Sequence, residues 1–557
     1  MKILQIFPLI VLLVVALFLS NCGKLAEPEQ NTPSFNTPSA TKPVESTQPS
    51  EPATTTSISG KPKTPVPDKP VTPYGIITVA LNGLSSESLD LISLMAPWGA
   101  CMFDPLITWD KNGNYTGSVA ESWEISEDGN TWTFHIRDDI KFHNGDPLTA
   151  IDVKFSIDRL ASKESINPWS GILRNNLRST EVPDDYTFIY RTNTPELPLI
   201  NAFAATPILP GDYFNSVGPE EFEKHPIGSG SWKFVEHVPA TSVLLEANTE
   251  HWLQVPAYKY VREYLVPEEY TRVSALDSGE VDMALFVSAD RTAAMMKEGW
   301  RTEIIGLPFI ITITFPGTWM TDGPTSDIRV RQAMSYAINR QEMCDTLWKG
   351  LAEPGGRWYM HKGSWGWDPK WKPDPYDPEL ARRLLSEAGY PDAFSTPTIK
   401  YFISSKADDF ALALQNYWTE VGIDVKFETV DSMVWFGLFF IRQMDPDSPA
   451  IGGIFPFGYT SVFDSTYQCA NMYTSTGAHT GGNDPVADEL YRKAVTSINE
   501  TDRKRLWMEF QNYVKEMWIN IGIATAEPYF LVGPNLGEFT TNTYIGLGEA
   551  FAGIKHP

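Results

Sequence analysis

The sequence predicts an α/β protein, and three observations carry that prediction. Segments with strand signatures and segments with helix signatures alternate along the chain, which favours packed α/β layers over a sandwich or a helix bundle. Of the 557 residues, 42% are hydrophobic and 12% aromatic, enough for two to four domains with large cores and too much for a disordered, collagen-like or disulfide-stapled chain. An apolar leader and a proline-rich stretch precede this globular part, so the folded region starts near residue 74.

The leader has Lys2 before an uninterrupted apolar core, Leu9 to Leu19, too short for a stable span and of signal-peptide size. It ends in Leu19-Ser20-Asn21-Cys22-Gly23, which resembles a lipobox, so residues 1–22 read as a lipoprotein signal peptide with Cys22 as the acylated residue. Several acyl chains on one residue hold a protein to a bilayer far more firmly than a single chain. Residues 23–73 follow as a tether: 11 Pro, 6 Ser and 9 Thr lie within 24–73, with Phe35 the one aromatic, so that stretch cannot bury enough apolar surface to order itself.

Within the folded part, Ile76–Leu81 reads as an opening strand. Ser122–Ile125 and Thr131–Ile136 flank Glu127-Asp128-Gly129-Asn130 as a hairpin. Thr149–Ala161 has a capping-box start, Thr149 with Asp152, and Val153, Ile157 and Leu160 on one face. Asp327–Leu347, Asp377–Ala388 (stopped by Gly389) and Phe410–Val421 are amphipathic helices, Gly422–Val430 a strand, and Asp484–Ile498 and Asp502–Trp518 late helices. The formal charge of −25 falls almost wholly on residues 74–557, with no basic run, which excludes a phosphate-binding face and a nucleic-acid partner. Beyond Cys22, the wide spacing of Cys101, Cys344 and Cys469 allows at most one disulfide and favours buried, inert thiols.

Signals for catalysis or metal binding are weak. His135 and His143 are eight apart, wider than usual ligand pairs, and Asp110-Lys-Asn-Gly-Asn114 lacks the glycine and glutamate of a calcium loop and reads as a hairpin turn. No nucleophile elbow, HExxH or phosphate-binding glycine loop occurs. The expectation is a binding protein without enzymatic activity, cofactor or metal.

Motifs in collinear order then give a resemblance. Ala120-Glu-Ser-Trp-Glu-Ile-Ser-Glu-Asp-Gly-Asn-Thr-Trp-Thr-Phe-His-Ile-Arg137, Lys141-Phe-His-Asn-Gly145, Pro226-Ile-Gly-Ser-Gly-Ser-Trp232, Asn248 with Trp252, Ala275-Leu-Asp-Ser-Gly-Glu-Val-Asp282, Asp327-Ile-Arg-Val-Arg-Gln-Ala-Met-Ser-Tyr-Ala-Ile-Asn-Arg340 and Gly422-Ile-Asp-Val425 resemble the solute-binding family 5 receptors of ABC importers. The resemblance implies a two-lobed periplasmic-binding-protein fold with an extra subdomain. Lobe I would comprise residues 74–104, 228–317 and 525–557, the subdomain 105–227, and lobe II 318–524. It implies an exported receptor, lipid-anchored outside the cytoplasmic membrane, that closes on a solute and hands it to permease and ATPase subunits. Peptide is the leading solute and oligosaccharide the alternative; a sensory or adhesion protein on the same scaffold is a third reading.

The resemblance places several residues near the interlobe cleft: Met95 and Trp98 after the first strand, and Trp358, Tyr359, Trp365 and Trp367 in a loop of lobe II. Flat indole faces bind sugars or line apolar pockets, and equally form a packed loop core. In Phe457-Gly-Tyr459-Thr-Ser461-Val-Phe-Asp464, peptide receptors of the family carry an amine-binding aspartate where Ser461 stands, while Asp464 matches a second acid; Tyr459 borders both. Ser461 therefore weakens the case for a free-amine peptide and strengthens that for a sugar. The Cys22→Ser variant is expected to lose incorporation of labelled palmitate in growing cells; retained label would exclude Cys22 as the lipidated residue.

Overall fold

The computed structural model describes residues 72–83, 87–93, 96, 98–110, 112–315, 322–358, 360, 362, 364–396, 399–402, 407–430, 455–460, 464–475, 477, 483–539 and 547–557. Residues 57–557 form one compact unit. Two sheets organise it. The first has seven strands in the order Arg301–Ile304, Tyr529–Val532, Met283–Ala284, Ile76–Leu81, Tyr260–Leu265, Ser242–Ala247, Trp232–Val238. Ile76–Leu81 runs parallel to its two neighbours, and the outer pairs are antiparallel. The second sheet has four strands in the order Ala352–Pro354, Asn520–Ala526, Phe309–Thr314, Phe455–Thr460.

Strand alternation explains why the first sheet has two cores. Ile77, Val79 and Leu81 face one layer with Trp98, Met102 and Trp232, whereas Ala80 faces the other with Val273, Leu276 and Leu531. A third core, with Trp123, Trp132, Phe134 and Phe188, belongs to a separate four-stranded antiparallel sheet built from Ala120–Ile125, Thr131–Ile136, Leu177–Asp184 and Thr187–Thr192. The second main sheet packs on Val330, Met334, Leu414 and Trp418.

The local signals fold as read. The Glu127–Asn130 turn closes the hairpin with Gly129 at φ 71°, and Thr149 and Asp152 form the capping box of Ala150–Leu160. Asp152 also accepts from the Gly211 N–H at 2.9 Å, tying that helix to the next segment. One expectation changes: Asp327–Leu347 is two helices, Ile328–Tyr336 and Arg340–Leu347, because Asn339 caps the second by accepting from the Glu342 N–H. The strand expected over Gly422–Val430 is likewise two short pieces, Ile423–Asp424 and Phe427–Val430. A boundary shifts as well. Phe309–Thr314, placed by the resemblance in lobe I, bonds along its length to Asn520–Ala526 and Phe455–Thr460 and belongs to the second sheet. Cys101, Cys344 and Cys469 are free and buried.

One buried group opposes the fold. Glu263 is only 1% exposed, on the face shared by Val261, and its Oε1 has no hydrogen-bond partner among the described residues. Burial raises its carboxyl from the usual 4.5 to about 7. The folded state therefore binds a proton that the unfolded state has lost between those values, and stability falls as pH rises through that window. The loss is on the order of 3 kcal/mol at most. Glu263→Gln is expected to remove this part of the slope; urea midpoints at pH 5 and 7.5 that change equally in both proteins would refute it.

Candidate functional site

The chain passes between the two sheets twice, side by side. Ile304 pairs with Tyr529 in the first sheet and Phe309 with Ala526 in the second, and between them the Ile305 N–H donates to the Pro528 carbonyl at 3.4 Å. Gly306 takes φ 99° in this passage, a left-handed conformation suited to glycine. Facing ends of both sheets meet here, as do the C-terminal ends of the parallel strands of the first sheet, where ligands bind in open α/β sheets.

On the first sheet's side, Arg272 organises the rim. It is 2% exposed, and its guanidinium donates to the carbonyls of Val266 and Pro267 at 2.7 Å and of Phe286 at 2.9 Å. Phe286 is held at φ 54°, costly for a side chain with a Cβ, yet its ring is 45% exposed and packs edge-on against Phe530 with centroids 5.4 Å apart. An exposed, strained aromatic at this end of a strand is a candidate contact residue that sequence reading missed. On the second sheet's side, Phe455–Thr460 pairs with Phe309–Thr314 and also lies against the strand Ile399–Phe402. Glu527 follows Ala526 directly and also went unnoticed in the sequence. Burial, and then the charge of Glu353, raises its carboxyl above the usual range.

The residues singled out in the sequence fall in several places. Cys22, Met95, Tyr359 and Ser461 lie outside the described residues. Tyr459 is on the strand Phe455–Thr460, in register with Ile310. Trp98 is not on a cleft wall: it has no exposed surface and packs against Phe234 and His237 at centroid distances of 6.2 and 5.4 Å. Trp358 is only 6% exposed, stacked on Trp371 at 5.9 Å and edge-on to Trp367 at 5.2 Å. Trp365 stacks on Trp507 at 6.1 Å beneath Arg503. This cluster is a packed core with Tyr473 and Phe510, and the faces that would have met a sugar meet one another.

Asp464 is engaged as well. Its Oδ1 accepts from the Thr466 N–H at 3.0 Å, and its Oδ2 accepts from the Tyr115 hydroxyl at 3.4 Å. Tyr115 donates also to Asn201 at 2.8 Å, and burial, then the Asp464 charge, pushes its phenol well up. Nearby, the Tyr467 hydroxyl donates to the Pro168 carbonyl at 2.7 Å, and its ring lies 5.0 Å from Trp169. The subdomain thus meets the second sheet's region through Asp464 and Tyr467. His143 uses both ring nitrogens on backbone, at Gly228 and Gly230, and burial lowers its pKa to about 4. Asp110 accepts from the N–H groups of Asn112 and Asn114, as a turn aspartate does.

Two sheets joined by a paired double passage, with rims facing each other across it, define a two-lobed binding protein of the periplasmic type. The chain belongs to the bacterial extracellular solute-binding proteins of family 5: the model described as "Bacterial extracellular solute-binding proteins, family 5 Middle" matches residues 114–470. It is 28% identical over 337 residues to the glutathione-binding protein GsiB of Pectobacterium atrosepticum, covering 59% of this chain and 64% of that one. The match thus spans just under two thirds of the curated relative. Its fold is that of NikA from Brucella suis with Fe(III)-EDTA (TM-score 0.75, 22% identity, 87% of this chain and 100% of that one). The same fold occurs in the periplasmic binding protein DppA of Helicobacter pylori with the peptide STSA (TM-score 0.72, 21% identity, 86% and 98%). Because Trp358 is packed in the core, Trp358→Ala is expected to lower unfolding free energy by about 3–5 kcal/mol whether or not ligand is present. A loss of solute affinity with unchanged unfolding would instead make it a contact residue.

Proposed function

We propose that this chain is the solute receptor of an ABC importer and that its solute is a peptide. The observation that carries the reading is the chain's membership of family 5, with two sheets whose ends meet at the double passage. The exposed Phe286 and Phe309, 45% and 38% exposed, offer apolar surface for side chains. DppA holding a peptide and GsiB named for a tripeptide support the same class. The packed tryptophan cluster withdraws the main argument for a sugar.

In this reading lobe I is residues 74–104, 228–308 and 527–557, the subdomain 105–227, and lobe II 309–526, with bending at the double passage. Cys22 anchors the receptor outside the cytoplasmic membrane on a 23–73 tether, beside its permease and ATPase subunits. A thermal-shift screen against short peptides, maltooligosaccharides and chelated nickel tests the solute class. A peptide at 100 times its dissociation constant is expected to add about 2.7 kcal/mol of stability. Shifts with sugars or chelated nickel and none with peptides would overturn the assignment.

A further inference from the structure

We propose that Glu527 holds a positively charged ammonium group of the bound solute at the floor of the cleft. The assignment rests on the peptide-receptor reading above.

The register of the second sheet fixes where Glu527 lies. Ala352, Ala526, Phe309 and Thr460 form one line across its four strands. Glu527 is the next residue toward the first sheet, at the sheet end where Thr460 closes the strand Phe455–Thr460 and where Phe309 is exposed. It thus lies in the crossing itself, between Ala526 of the second sheet and Tyr529 of the first, where a ligand between the two sheets' ends meets it.

Its chemistry is that of an unfilled cation site. Oε2 of Glu527 is shut off from water and accepts no hydrogen bond among the described residues. Local donors cannot serve it: Pro528 has no N–H, and the Tyr529 N–H donates to Glu527's own carbonyl at 3.1 Å. The charged neighbour is of the wrong sign. Glu353, in register with Thr525 on the adjacent strand, raises the Glu527 carboxyl further and is itself paired with Lys362. Tyr529 is the other titratable group near it, and its phenol is raised by burial and by these two acids. A carboxylate so placed is costly to ionise alone and strongly favours a cation that supplies donors. Phe286 and Phe309, exposed on the two sheets that meet at this passage, suit an apolar side chain next to that cation.

The shared chemistry is an ammonium, from a peptide's amino end or from a lysine side chain. Calorimetric titration of the intact receptor and of its Glu527→Gln variant with Phe-Ala-Ala, N-acetyl-Phe-Ala-Ala and N-acetyl-Lys-Ala-Ala separates the two sources. Wild type is expected to prefer Phe-Ala-Ala over its acetylated form, and the variant to lose about 30-fold or more in affinity for it while binding the acetylated form unchanged. A loss confined to N-acetyl-Lys-Ala-Ala would identify a side-chain ammonium as the group held. Equal wild-type affinity for all three peptides overturns the assignment without any variant. Wild-type preference that survives in Glu527→Gln also overturns it and leaves the peptide reading intact. Wild type binding none of the three, with sugar or chelate shifts in the thermal screen, overturns the peptide reading and this assignment with it.

Discussion

The hydrogen-bonded double passage between the sheets is the constraint on which the other features depend. Ile304 with Tyr529 and Phe309 with Ala526 are paired on either side of it, and the Ile305–Pro528 bond closes the gap. On the proposed reading the lobes bend here, because only a few backbone dihedrals near Gly306 and Pro528 need change. The same geometry brings the C-terminal ends of Ile76–Leu81 and Tyr260–Leu265 toward the end of the second sheet. On the proposed reading the cleft is therefore a consequence of where the chain crosses, and the residues nearest the crossing are the ones placed to meet a solute.

Buried arginines hold the walls of this arrangement rigid. Arg272 fixes the rim of the first sheet. Arg331 donates to the carbonyls of Trp518, Met517, Thr325 and Ser326 in the second. Arg340 bonds Gly522 at 2.6 Å and Ser335, with Asp374 at 3.8 Å. Burial lowers Arg331 and Arg340 to about 10, so both remain charged near neutrality. Each charge is spread over carbonyl oxygens that would otherwise be unsatisfied at element ends, which is how a guanidinium offsets its desolvation. Glu263 and Glu527 show the contrast: neither has a donor for its buried oxygen. Glu263 is sealed in a core, whereas Glu527 sits where a solute can supply the donor.

Features written in short stretches of sequence were legible, and those made by distant neighbours were not. The Gly129 turn, the Thr149–Asp152 box and the alternation of Ile77, Val79 and Leu81 are each decided within a few residues. The break at Asn339 was missed because the apolar periodicity runs through it while one side chain recaps the backbone. Richness in tryptophan marked the 358–371 loop correctly as a cluster, but composition cannot say whether Trp507 and Trp371 occupy the ring faces. Phe286 and Glu527 gave only faint signals: an aromatic just past a short strand, and a lone acid before proline after the mostly apolar stretch Ile519–Ala526. Their importance comes from Arg272 and Glu353, far away along the chain.

The contacts that hold the two sides together are weak, and on the proposed reading that weakness matters. Lys349 and Asp290 pair at 3.0 Å with both side chains partly exposed, so their bond is worth about 0–1 kcal/mol. The Tyr467–Pro168 and Leu197–Val495 hydrogen bonds add roughly 1 kcal/mol each. A few kcal/mol is close to the roughly 5.5 kcal/mol that carries a two-state equilibrium from almost all open to almost all closed. Closure contacts of this size leave the decision to the solute. One that touches Phe309 on the second sheet and Phe286 on the first supplies the difference only when both sides engage it. An anchor at Glu527 suits this role because it lies in the passage itself, where a ligand group touches both sheets' ends whichever way the lobes bend.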